Sequence, residues 1–157
     1  MKINVICISK TSEKYLQTGI DLYLGRLKHY VPIEFIEIPD IKNAKNMDFE
    51  QIKNAEGELI IKKIDVGSRV ILLDDKGKDF TSIQFSNYVE KQQLSGVKTI
   101  NFIIGGPYGF SEKVYALAND KISLSKMTFS HQLIRVIFFE QLYRAYTILK
   151  NEPYHHE

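Results

Sequence analysis

The run Ile100-Asn101-Phe102-Ile103-Ile104 stops abruptly on Gly105-Gly106-Pro107-Tyr108-Gly109. A short apolar run bounded by turn residues predicts a buried strand. Paired glycines at its end let backbone amides approach a ligand closely, because no Cβ stands in the way. Open α/β sheets bind their ligands at the carboxyl ends of strands. A second strand end follows at Ile122-Ser123-Leu124-Ser125. Behind it, a long amphipathic segment carries His131, Arg135, Glu140, Gln141 and Arg144. The stretch from Thr99 to Tyr146 therefore holds the candidate site, and the rest of the chain reads as its support.

That support is an alternation of strands and helices. Residues 2–8 predict a buried strand. From Glu13 to Tyr30, Leu16, Ile20, Tyr23, Leu24 and Leu27 recur at helical spacing, and Pro32 ends the helix. Ile33–Ile38 is the second strand, and residues 39–47 form a polar connector. Asp48 with Gln51 predicts a capping box for a helix reaching Ile64. Arg69–Asp74 is the third strand, and Asp75-Lys76-Gly77-Lys78 has the composition of a turn. Thr81 with Gln84 offers a second capping box, for a helix to Leu94 that Gly96 closes. Thr99–Ile104 is the fourth strand, Ser111–Asn119 the fourth helix and Lys121–Leu124 the fifth strand. The last helix is expected over Ser130–Lys150 with Ser130 as its cap, and Pro153 stops it, leaving Tyr154-His155-His156-Glu157 as a flexible tail. Five strands alternating with helices, without repeats or low-complexity linkers, predict a single α/β domain over residues 1–157 with a mostly parallel sheet.

Bulk properties narrow the class. The apolar runs fall far short of the roughly 20 residues a membrane span requires, and the N-terminal run lacks a signal-peptide cleavage site. Cys7 is the sole cysteine and lies inside the first predicted strand, so no disulfide framework exists and a reducing, cytoplasmic setting is expected. Lys and Arg number 21 against 19 acids. Residues 1–97 balance at fourteen each, while residues 98–157 carry seven basic groups and five acidic, so the excess lies in the candidate segment.

The glycine turn is neither a Walker A loop nor a dinucleotide fingerprint, since no Gly-Lys-Ser/Thr follows and the Gly-x-Gly-x-x-Gly spacing fails. The loop Ser125-Lys126-Met127-Thr128-Phe129 mixes polar and apolar side chains, which suits a ligand with a flat apolar part better than a triphosphate. Glu140 and Arg144 stand four apart and could form an ordinary helix-surface pair. Read alone, His131 and Arg135 are structural. The sequence holds no Ser-His-Asp arrangement, and His155-His156 is too small a set for a metal site.

Four segments together resemble a known family: Phe102–Gly109, Leu124–His131, Glu140-Gln141-Leu142-Tyr143-Arg144-Ala145 and the closing Pro153-Tyr154-His155. The chain is similar along its whole length to the RlmH-type methyltransferases of the SPOUT superfamily, which modify N3 of a pseudouridine in large-subunit (23S) ribosomal RNA. The resemblance implies a SPOUT-type α/β fold with a five- or six-stranded sheet, a C-terminal trefoil knot over about residues 99–150, and a functional tail over 151–157. It implies a homodimer that binds S-adenosylmethionine through Leu73, Gly105, Leu124, Ser125, Lys126, Met127, Thr128 and Phe129. It implies a substrate in the assembled ribosome, with Arg144 and His155 as catalytic residues and Arg144, Tyr154, His155 and His156 contacting the RNA. No metal and no membrane is implied. Two alternatives stay open: a SPOUT methyltransferase acting on another RNA such as tRNA, and a noncatalytic ribosome-binding protein on the same scaffold.

Overall fold

The computed structural model describes residues 1–156; Glu157, the end of the expected tail, lies outside them. Five strands form one sheet: β1 (Lys2–Ile8), β2 (Ile33–Ile38), β3 (Arg69–Asp79), β4 (Thr99–Ile104) and β5 (Asp120–Ser123). Their order is β2-β1-β4-β3-β5, and every pairing is parallel. The helices are α1 (Lys14–Leu27), α2 (Phe49–Ile61), α3 (Ser82–Leu94), α4 (Glu112–Leu117) and α5 (Leu133–Leu149). Alternate residues of a strand face opposite sides, and both sides here are apolar. Ile3, Val5 and Cys7 of β1 join Ile100, Phe102 and Ile104 of β4 beneath α1, α3 and α5. Ile6, Ile8, Leu72 and Ile103 face α2 and α4, where Ile60 and Val114 cover them. A parallel sheet buried on both faces needs such continuous Ile- and Val-rich runs. Burial pushes the Cys7 thiol up to about 12, which leaves it inert.

Both expected capping boxes form. Asp48 accepts the Gln51 amide and Thr81 accepts the Gln84 amide, with each glutamine side chain returning the bond. Two expectations change. Asp75–Lys78 is not a turn between elements, because β3 runs on through it. Leu73 and Lys78 both pair with Ile122, so the intervening residues bulge out of register and the chain returns to β5. Gly77 permits that return: a Cβ there would lie 2.5 Å from the Ile122 amide nitrogen. The last helix begins at Leu133, not Ser130. Ser130 still caps the preceding turn, its Oγ accepting the Leu133 amide at 3.1 Å.

α5 packs against both α1 and α3. Arg135, near its start, is completely buried. Its Nη2 donates to the Ile8 carbonyl at 2.6 Å, its Nη1 to the Ser9 carbonyl at 3.1 Å and Thr11 Oγ1 at 2.9 Å, and its Nε to the His131 carbonyl at 3.0 Å. Glu37 from the end of β2 lies 3.4 Å from Nη1 and supplies a countercharge. Arg135 thus joins the carboxyl ends of β1 and β2 to the loop that enters α5.

Candidate active site

A cleft of about 310 Å³ opens at the bulge of β3 and the ends of β4 and β5. Its size suits one ligand near the lower bound of small-molecule sites. β3 contributes Leu73, Asp74 and Asp75, the loop after β4 contributes Gly105, Gly106, Pro107 and Gly109, and the loop after β5 contributes Leu124, Ser125, Met127, Thr128 and Phe129. Seven of the eight cofactor positions expected from the sequence therefore converge on one cleft. Lys126 does not line it; its side chain is exposed between two residues that do. The loop after β5 is held by its own serines: Ser123 Oγ donates to the Ser125 carbonyl at 3.0 Å, and Ser125 Oγ accepts the Met127 amide at 2.9 Å. Gly105 serves a packing need as well, since a Cβ there would meet the Phe110 ring at 3.2 Å.

Residues that the sequence reading did not place at the site complete the walls. Asp74 is one. Tyr115, on α4, donates its hydroxyl to Asp74 Oδ2 at 2.5 Å, and the Lys76 amide donates to Oδ1 at 2.8 Å. Burial works to raise the Asp74 carboxyl, but these bonds outweigh it and hold the group below its usual range. Burial and the bond to Asp74 push the Tyr115 hydroxyl up to about 12. His131, expected to be structural, stands at the cleft wall. Burial first, then the nearby Arg135 guanidinium, lowers its pKa, so the imidazole is neutral at pH 7. The strand-end criterion that marked Gly105 also points to Asp74. Nothing in the sequence pattern marked Tyr115.

The cleft is chemically one-sided. Leu73, Ile122, Leu124, Phe129 and Ile134 give it apolar walls, Asp74 and Asp75 give it carboxylates, and among the described residues no lysine or arginine lines it. That donor set fits a flat apolar group carrying positive charge and disfavours a polyphosphate. S-adenosylmethionine, an adenosine with a sulfonium, meets both conditions.

The other expected residues cluster elsewhere on α5. Arg144 donates to Glu140 Oε1 through Nη2 at 2.5 Å and Nε at 3.1 Å, and Burial opposes but does not outweigh this partner's effect, so the guanidinium pKa is raised. The tail does not extend away. Asn151 adopts a left-handed conformation (φ 55°), the Glu152 amide closes back on the Thr147 carbonyl, and the chain folds onto α5. Tyr154 lies edge-on to Tyr143 at 4.7 Å, beneath the Arg144 guanidinium at 4.8 Å, and donates its hydroxyl to Glu140 Oε1 at 3.1 Å. His155 brings Nδ1 to 3.3 Å from Arg144 Nη1, while His156 is exposed. Arg144 follows the cleft residue Ile134 by ten positions, about 15 Å along the helix. Within one chain the cleft and the Arg144–His155 cluster are separate.

A strand-end cleft on a parallel sheet, built from loops after β4 and β5, defines the class. A family model described as "Predicted SPOUT methyltransferase" matches residues 1–155, and the chain belongs to that family. Relatives are similar from end to end. A protein of Parabacteroides distasonis named ribosomal RNA large subunit methyltransferase H is 59% identical over 157 residues, covering all of both chains. Proteins of the same name from Christiangramia forsetii and Flavobacterium johnsoniae are 56% and 55% identical, covering 99% and 100% of both chains.

Proposed function

We propose that this protein methylates N3 of a pseudouridine in large-subunit ribosomal RNA, using S-adenosylmethionine and acting on the assembled ribosome in the cytoplasm. The observation that carries this reading is the convergence of Leu73, Gly105, Leu124, Ser125, Met127, Thr128 and Phe129 on one cleft that has carboxylates and, among the described residues, no lysine or arginine. The shared name of full-length relatives at 55–59% identity supports the RNA substrate.

The apolar walls would hold the adenosine, and the carboxylates Asp74 and Asp75 would offset the ligand's positive charge. S-adenosylmethionine supplies an electrophilic methyl group on a sulfonium that leaves as a neutral thioether. The protein's remaining task is to position N3 and remove its proton, and most of the rate comes from that positioning. Arg144 holds the RNA. Its guanidinium lies 3.3 Å from His155 Nδ1. Turning Arg144 toward the RNA leaves Nδ1 able to accept the N3 proton. The roughly 15 Å between cleft and cluster supports a homodimer in which one copy's tail, with Tyr154, His155 and His156, completes the other's cleft. We include in this reading a trefoil knot over about residues 99–150. After β5 at the sheet edge the chain crosses back to β1, where Gln132 bonds the Lys10 carbonyl at 3.1 Å, and this return path suits a threaded end.

The test is methyl transfer from labelled S-adenosylmethionine to ribosomes from a strain lacking this gene, beside isolated large subunits and bulk tRNA. Label in a single large-subunit rRNA nucleotide, with assembled ribosomes the best substrate, is the expected result. Label in tRNA alone would overturn the substrate.

A further inference from the structure

A groove leaves the candidate active-site cleft and follows the outer edge of the sheet, where β5 is the terminal strand. It starts at Asp74 and Tyr115, which also line the cleft, and passes Lys76 and Gly77. Lys78, Asp120 and Lys121 connect it to a second hollow walled by Phe80, Tyr88 and Lys91. The two hollows measure about 570 and 540 Å³, each larger than the cleft.

Charge changes sign along this path. Among the described residues the cleft has carboxylates and no lysine or arginine, whereas the groove has four exposed lysines, Lys76, Lys78, Lys91 and Lys121. Among the described residues none of the four takes part in an ion pair. Two of the groove's acids are already engaged. Asp120 Oδ2 accepts Arg69 Nη2 at 2.9 Å and the Tyr88 hydroxyl at 2.8 Å, and Asp74 accepts Tyr115 and the Lys76 amide. Two ammonium groups rest near aromatic rings, Lys78 at 5.1 Å from the Phe80 centroid and Lys121 at 5.6 Å from that of Tyr115. Such contacts restrict long side chains and leave their charge facing outward.

We propose that this groove carries the sugar-phosphate backbone of the RNA strand flanking the nucleotide being methylated. A polyanion is the partner that uses four unpaired lysines where two of the three groove acids are engaged and Asp79 alone opposes them, and continuity with the cleft sets where the strand leads. The inference rests on the RNA methyltransferase reading above.

The test compares wild type with a Lys78→Gln/Lys91→Gln/Lys121→Gln variant in methyl transfer to ribosomes over a range of monovalent salt. The variant should raise KM about tenfold or more and flatten the log–log salt dependence by about one unit per lysine. Its affinity for S-adenosylmethionine, measured by calorimetry, should match wild type and report an intact fold. A Lys45→Gln/Lys63→Gln control, at exposed sites outside the groove, should behave as wild type. Equal kinetics for wild type and the triple variant, or an equal loss in the control, would overturn the groove. Absence of methylation by wild type would instead overturn the underlying function. Because Cys7 is buried, Lys78→Cys would carry the one accessible thiol, to which a photo-crosslinker can be attached. Crosslinks to rRNA are expected, and crosslinks to ribosomal protein alone would overturn the proposal.

Discussion

Arg144 is held by one carboxylate, one aromatic face and one imidazole. A planar fork with several donors can exchange such partners for phosphate and base, which a lysine at the same place cannot reproduce. Arg144→Lys should therefore lower kcat on ribosomes by about 10–100-fold while leaving cofactor affinity unchanged, since single transition-state contacts are worth amounts of that order. Steady-state kinetics with a parallel cofactor titration would check it. Glu56, on α2, is a different kind of residue. It is 6% exposed, its Oε2 has no hydrogen-bond partner among the described residues, and burial, with Asp40 nearby, pushes its carboxyl up from 4.5 to about 7. The folded state therefore binds more protons than the unfolded chain between pH 4.5 and 7, and stability falls as pH rises through that window. Glu56→Gln cannot ionise. It should match wild type near pH 4.5 and exceed it at pH 8 by up to about 2–3 kcal/mol, as measured by urea unfolding at both pH values.

Loops and their anchors decide the site at the next scale. Arg135 fastens the entry of α5 to the ends of β1 and β2, so its loss affects both the core and the loop lining the cleft. Arg135→Met leaves the Ile8 and Ser9 carbonyls without their donor and removes the countercharge of Glu37, which keeps its two bonds from Thr11; it should cost about 3–5 kcal/mol, seen as a lower urea midpoint. Gly77→Ala should separate β3 from β5 and weaken S-adenosylmethionine binding about tenfold or more, because even modest overpacking shifts backbone; calorimetry would measure it. Element positions were legible in the sequence wherever a local cause fixed them. Asp48, Thr81 and the apolar run at Ile100 each marked a boundary that the structure keeps. The continuation of β3 through Asp75–Lys78 was not legible, because its cause is a neighbouring strand distant in sequence. The loops proposed to hold the cofactor were assigned through family resemblance; the strand ends alone marked the neighbourhood. Tyr115 reaches the cleft from α4 and His131 from the turn that enters α5, placements that periodicity does not encode. The folded-back tail likewise depends on Tyr143 and Arg144 meeting Tyr154, a contact no spacing rule predicts.

For the molecule as a whole, the separation of cleft and cluster has a direct test. Arg144→Ala subunits and Gly105→Val subunits should each be inactive alone. Mixed and reassorted, they should recover about a quarter of wild-type activity, because half of randomly paired twofold dimers carry one intact composite site. Failure to recover activity, with mixed dimers verified, would put each site within a single chain. The buried guanidinium of Arg135 also sets the order of events during synthesis. Its bond to the Ile8 carbonyl spans 127 positions, and β1 pairs with β4 rather than with a sequence neighbour on that side. Such non-local closure belongs to slowly folding topologies. A nascent chain that has made β1 through β5 still lacks the group that satisfies the end of its first strand. Folding must therefore be completed after α5 has emerged, and a product truncated before that helix would offer chaperones and proteases an unfinished sheet.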